Sequence, residues 1–84
     1  MSFPFGGHPK LKEYIHWAEQ EGCRTDYGVR AGPDGAPTEI IKITSPDSTR
    51  WVIIAGTGLS ETLVPTTVGR FDRRLGMNSP FSKL

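Results

Sequence analysis

The chain reads as an α+β domain in the order α-β-β-β-α, a three-stranded antiparallel sheet with two helices packed on one face. Three observations carry that reading. Residues 40–43 and 51–55 are apolar runs rich in Ile and Val, the side chains that suit a pleated surface. Between them lies Ser45-Pro46-Asp47-Ser48-Thr49, where a fixed proline φ and a turn-capping carboxylate close a hairpin. A stripe of apolar residues at helical spacing precedes this hairpin, and a second one follows it.

The first stripe is Leu11, Tyr14, Ile15 and Ala18, with Lys12, Glu13, His16, Glu19 and Gln20 opposite. Pro9 suits the first helical position, where a missing N–H costs nothing. Gly22 suits the left-handed residue that ends the helix, with Cys23 folded back as a small buried hydrophobe rather than a nucleophile. Residues 24–30 form the first strand, and Gly28 within it weakens the strand or marks a bulge. Ala31-Gly32-Pro33-Asp34-Gly35-Ala36-Pro37 is a turn, with Gly35 available for positive φ.

Two registers compete in the hairpin. The one that segregates polar residues better puts Ile41, Ile43, Trp51, Ile53 and Ala55 on the core face and leaves Lys42, Thr44, Arg50, Val52 and Ile54 outside. A slip of one residue buries Val52 and Ile54 and exposes Trp51. Residues 56–64 read as a loop whose two glycines lack the Lys-Ser/Thr of a phosphate-binding loop. The last helix starts at Pro65-Thr66-Thr67 with a threonine cap, carries Val68, Phe71 and Leu75 inward, and stops at Gly76. The expected core is Leu11, Ile15, Ile41, Ile43, Ile53, Phe71 and Leu75. The domain then spans residues 9–77, between a flexible arm at 1–8 and a flexible tail at 78–84.

Composition narrows the function classes without choosing one. The 84 residues support a single small core, and ten Lys/Arg against nine Asp/Glu leave a net charge of +1. Any basic patch must therefore come from uneven placement. One cysteine excludes an internal disulfide framework, and no apolar run reaches membrane-spanning length, which together imply a cytoplasmic protein. His8 and His16 stand eight apart without a cysteine pair, so neither a metal nor another cofactor is expected.

Three segments resemble a known family. WAEQEGC (residues 17–23) is similar to the end of a first helix, SPDSTRWVI (45–53) to a second hairpin turn, and LVPTTVGRFDRRLGM (63–77) to a proline-led last helix. In this order they resemble the HicA family of mRNA interferase toxins, whose scaffold is the double-stranded-RNA-binding-domain fold in its smallest form. The resemblance implies that scaffold. It argues against the activity, because the family's Gly-Ser-His step is replaced here by Ala36-Pro37-Thr38-Glu39-Ile40. Without that histidine no side chain is placed to exchange protons near neutral pH, and a carboxylate at Glu39 would repel phosphate.

Three functions follow from these residues. The first is a noncatalytic RNA-binding module using Arg70, Arg73 and Arg74 on one helix face, with Lys42 and Arg50 from the sheet. Against it stands the plainer reading of a solvated helix face, since Asp72 interrupts the arginines. The second is a protein-interaction module, of a toxin–antitoxin or phage-regulator kind or a homodimer, using Ile40, Val52 and Ile54 on an uncovered sheet face. The third is an active ribonuclease, for which the sequence offers no acid–base pair.

Overall fold

The computed structural model describes residues 8–83, so the expectations for residues 1–7 and for Leu84 lie outside the described residues. Helix Leu11–Gln20 (α1) is followed by strands Arg24–Ala31 (β1), Pro37–Thr44 (β2) and Trp51–Ala55 (β3). Helix Pro65–Leu75 (α2) and a 3-10 turn at Pro80–Lys83 complete the order. The strands form one antiparallel sheet, β1-β2-β3, and the expected α-β-β-β-α architecture is what the chain adopts. Leu11, Tyr14, Ile15 and Ala18 of α1 and Val68, Phe71 and Leu75 of α2 bury against Ile41, Ile43, Val52 and Ile54 of the sheet. Gly28 sits in continuous register opposite Ile40, with no bulge.

α1 begins without a side-chain cap at Lys10, and Pro9 lies outside it. Its first N–H groups are nonetheless all accounted for. Leu11 and Lys12 donate to the carbonyls of Glu61 and Leu59 at 2.9 and 3.0 Å, and Glu13 and Tyr14 donate to Lys10 O. The Glu13 carboxylate in turn accepts the Lys10 N–H at 2.8 Å. Residues 56–64 are thereby tied to the start of α1, with Leu63 N–H also donating to Pro9 O at 2.7 Å. At the other end Gly22, at φ 99°, closes α1 as expected. Cys23 is buried, and its thiol donates to Met77 Sδ at 3.4 Å. Burial, with Glu21 nearby, pushes that thiol's pKa up and keeps it protonated.

The β3 register is the slipped one. Val52 and Ile54 are buried, whereas Trp51 and Ile53 are 52% and 47% exposed, so the expected core face of β3 is corrected. Ile53 leaves the core set and Val52 and Ile54 enter it. All five residues of β3 are apolar, so alternation carries no phase within the strand. Pairing sets it: Ile43 faces Val52 and Ile41 faces Ile54 across the ladder. Ile54→Ala is accordingly expected to cost about 2–5 kcal/mol and Ile53→Ala under about 1 kcal/mol by urea denaturation. The reverse ranking would restore the other register.

The chain end also differs from expectation. Ser79 is fully buried and Phe81 is 2% exposed, so residues 78–81 belong to the packed domain rather than to a loose tail. Phe81 packs on Tyr14 and edge-on against Trp17, at centroid distances of 6.0 and 6.3 Å. Asp72 holds the segment in place, accepting from Ser79 N–H at 3.0 Å and Ser79 Oγ at 2.9 Å. The N-cap of α2 is corrected as well: it is Val64, with Pro65 in the first turn, and no threonine caps.

Candidate functional site

The C-terminal end of α2 and the start of β3 meet in a shallow cleft of about 470 Å³ lined by Arg50, Trp51, Arg73 and Arg74. Helical spacing puts Val68, Phe71, Asp72 and Leu75 inward, which leaves Arg73 and Arg74 on the exposed side of the last turn. Gly76 ends the helix at φ 69°, a left-handed conformation that glycine adopts without strain. The same glycine makes room for Arg50. A Cβ placed there would lie 3.0 Å from Arg50 Cδ and 3.1 Å from its Nε, so the arginine stem crosses the helix end.

Trp51 forms one wall of the cleft, and Lys42 comes to it from the neighbouring strand. Lys42 pairs with Ile53, two residues from Trp51, on the sheet face away from the helices. Its Nζ sits 5.4 Å from the indole centroid, within cation–π range. The result is a half-exposed aromatic ring with Lys42 over one face and three arginines lining the same cleft. The negative end of the α2 dipole favours Arg73 and Arg74 where they stand, which is a sufficient structural reason for both. It does not account for Arg50 and Lys42, which come from the sheet side.

The turn before β3 fixes where Arg50 and Trp51 emerge. Asp47 Oδ1 accepts from Ser45 Oγ at 2.6 Å, Thr49 Oγ1 at 2.7 Å and Thr49 N–H at 3.1 Å. Ser45 Oγ accepts the Arg50 N–H at 3.1 Å, and Ser45 N–H donates to Arg50 O at 2.8 Å. Hydrogen bonds from Ser45 and then Thr49 pull the Asp47 carboxyl pKa down to about 2. The folded value lies below the unfolded one, about 3.9. The stabilisation is therefore complete above the unfolded pKa and lost as pH falls through about 2. An NMR titration of the Asp47 side chain should give a midpoint near 2, and one near 3.9 would contradict this account of the turn.

Of the five cations expected to bind nucleic acid, Arg50, Arg73 and Arg74 converge on the cleft, and Lys42 joins them through Trp51. Arg70 is exposed one turn earlier and is not among the lining residues. In the first turn of α2, Thr67 and Val68 N–H both donate to Val64 O, so neither is open to an anion. The residue missed by sequence reasoning is Trp51, assigned there to the core. Its position directly after Arg50 and across from a lysine-bearing strand was the available signal.

The expected partner surface is corrected. Val52 and Ile54 lie in the core, and only Ile40 of that set stays partly exposed, opposite Ala55 on the outer face and diagonal to Ile53. A separate apolar concavity of about 400 Å³ opens between Tyr27, Val29, Ile41 and Leu59, with Glu39 on its wall. Glu39 also borders the hollow beside Gly56 and Gly58, and its carbonyl accepts the Gly56 N–H at 3.2 Å. His8 and His16 are exposed, and neither lines the cleft. Among the described residues no group of three or more His, Cys, Asp or Glu is placed to hold a metal, and no helix is long and apolar enough to cross a membrane. Comparison with protein-family models, curated proteins and solved structures found no match.

Proposed function

We propose that this chain is a noncatalytic RNA-binding domain. The observation that carries the reading is the convergence of Arg50, Arg73 and Arg74, with Lys42, around the exposed Trp51. Guanidinium groups engage phosphate oxygens bidentately, and an aromatic face adds contact area that a purely basic helix lacks. The cleft is lined by three arginines and a tryptophan, with no histidine or carboxylate among them, which favours phosphate binding over acid–base catalysis. The resemblance in element order to the HicA-like, double-stranded-RNA-binding scaffold is what favours RNA over DNA. The test is a titration of the chain, and of its Arg50/Arg73/Arg74→Gln variant, with a stem-loop RNA and a DNA of the same sequence at two salt concentrations. Binding of the RNA that weakens with salt and is lost in the variant supports the reading. Preference for DNA, or equal affinity in both proteins, opposes it.

A second reading is favoured by a different observation, the apolar outer sheet face on which the exposed Ile53 lies diagonal to the partly exposed Ile40. Such a face suits a protein partner or a second copy of the chain. Concentration-dependent dimerisation in sedimentation runs, abolished by Ile53→Lys, would support it.

A further inference from the structure

We infer that, within the RNA reading above and resting on it, the site takes an unpaired nucleotide, its base on the Trp51 indole and its flanking phosphates on Arg50, Arg73 and Arg74. The indole is 52% exposed, and it belongs to the outer face of the sheet, with Ile53 at 47% exposure two residues along. The bases of a closed duplex are stacked on one another and present no face to a side chain, whereas an unpaired base has both faces free. A protein that gripped only duplex phosphates would gain little from a large exposed ring among the arginines of its cleft. Arg50 precedes the ring in the chain, Arg73 and Arg74 share its cleft, and Lys42 Nζ lies 5.4 Å from its centroid. Lys42 Nζ lies over one indole face, so a stacked base takes the other face or displaces the lysine, while Arg50, Arg73 and Arg74 line the same cleft and can meet its phosphates. Base stacking is indifferent to base identity, so the site selects for unpairedness rather than sequence.

Three RNAs separate this inference from the general one: a single strand, a blunt duplex, and the same duplex with one bulged nucleotide. They are titrated into the Trp17→Phe protein, in which Trp51 is the remaining tryptophan. The single strand and the bulged duplex should bind on the order of 10-fold more tightly than the blunt duplex and quench Trp51 emission. Trp51→Leu, checked for an unchanged far-UV spectrum, should bring the three RNAs to within about twofold of one another. Equal affinity for all three RNAs with undisturbed Trp51 emission would overturn the inference and leave the RNA reading standing. Binding of none of the three would overturn both. The emission and the RNA comparison need no Trp51 variant, so a Trp51→Leu protein that failed to fold would not shield the inference.

Discussion

Asp72→Ala is expected to remove about 3–5 kcal/mol, a large share of the stability of the chain. Asp72 is 5% exposed and serves two elements at once. Its Oδ1 accepts from Tyr14 Oη at 2.6 Å, joining α2 to α1, and its Oδ2 accepts from Ser79 N–H and Oγ, joining α2 to the chain end. Removing the carboxylate takes away the shared acceptor that ties Tyr14 and Ser79 to α2, at a cost of about 3–5 kcal/mol. A chain of this length has roughly 4–13 kcal/mol of stability in total. Tyr14→Phe removes one donor and keeps the acceptor satisfied by Ser79, so about 1–2 kcal/mol is expected. Urea denaturation separates the two, and a loss below about 1 kcal/mol for Asp72→Ala would contradict the network. The same contact gives a signature at alkaline pH. Burial pushes the Tyr14 pKa up, and the Asp72 hydrogen bond and charge push it further. The folded value lies above the unfolded one, about 10. That stabilisation is complete below the unfolded pKa and is lost as pH rises from there towards the folded one.

The Arg50/Arg73/Arg74→Gln variant is expected to lose RNA affinity on the order of 100-fold at low salt. Each arginine is exposed, and its contribution to folding is limited to the helix dipole and to packing of its stem, which glutamine partly keeps. In the wild type up to four cations neutralise phosphates, counting Lys42. The slope of log affinity against log salt should then be about −2 to −3 for a single strand, flattening towards about −0.7 in the variant. A variant with the wild-type slope would show that binding lies elsewhere on the surface.

Element order was legible in the sequence because helical and strand periods differ and the turn residues are specific. Gly22, Gly35 and Gly76 all take the positive φ that their turns suggested. The phase of β3 was not legible, since Trp51-Val52-Ile53-Ile54-Ala55 is apolar throughout and only the ladder with β2 distinguishes its faces. That one ambiguity hid Trp51 from the candidate site and placed Val52 and Ile54 on a surface they do not reach. Asp72 was read as an interruption of a solvated arginine face. Its position four residues after Val68 and three before Leu75 puts it on the apolar stripe, where a carboxylate needs buried donors. The donors, Tyr14 and Ser79, are distant in sequence, so their convergence required the fold. The convergence of Arg50 with Arg73 and Arg74 is of the same kind, because it depends on Gly76 bringing the end of α2 against the hairpin turn.

The most direct test of the proposed interface is an amide and indole chemical-shift map of the ¹⁵N-labelled chain during titration with single-stranded RNA. The account predicts the largest changes at Arg50, the Trp51 indole N–H, Arg73 and Arg74, with the Trp17 indole little affected. Changes centred instead on Tyr27, Val29 and Leu59, around the apolar concavity, would contradict it.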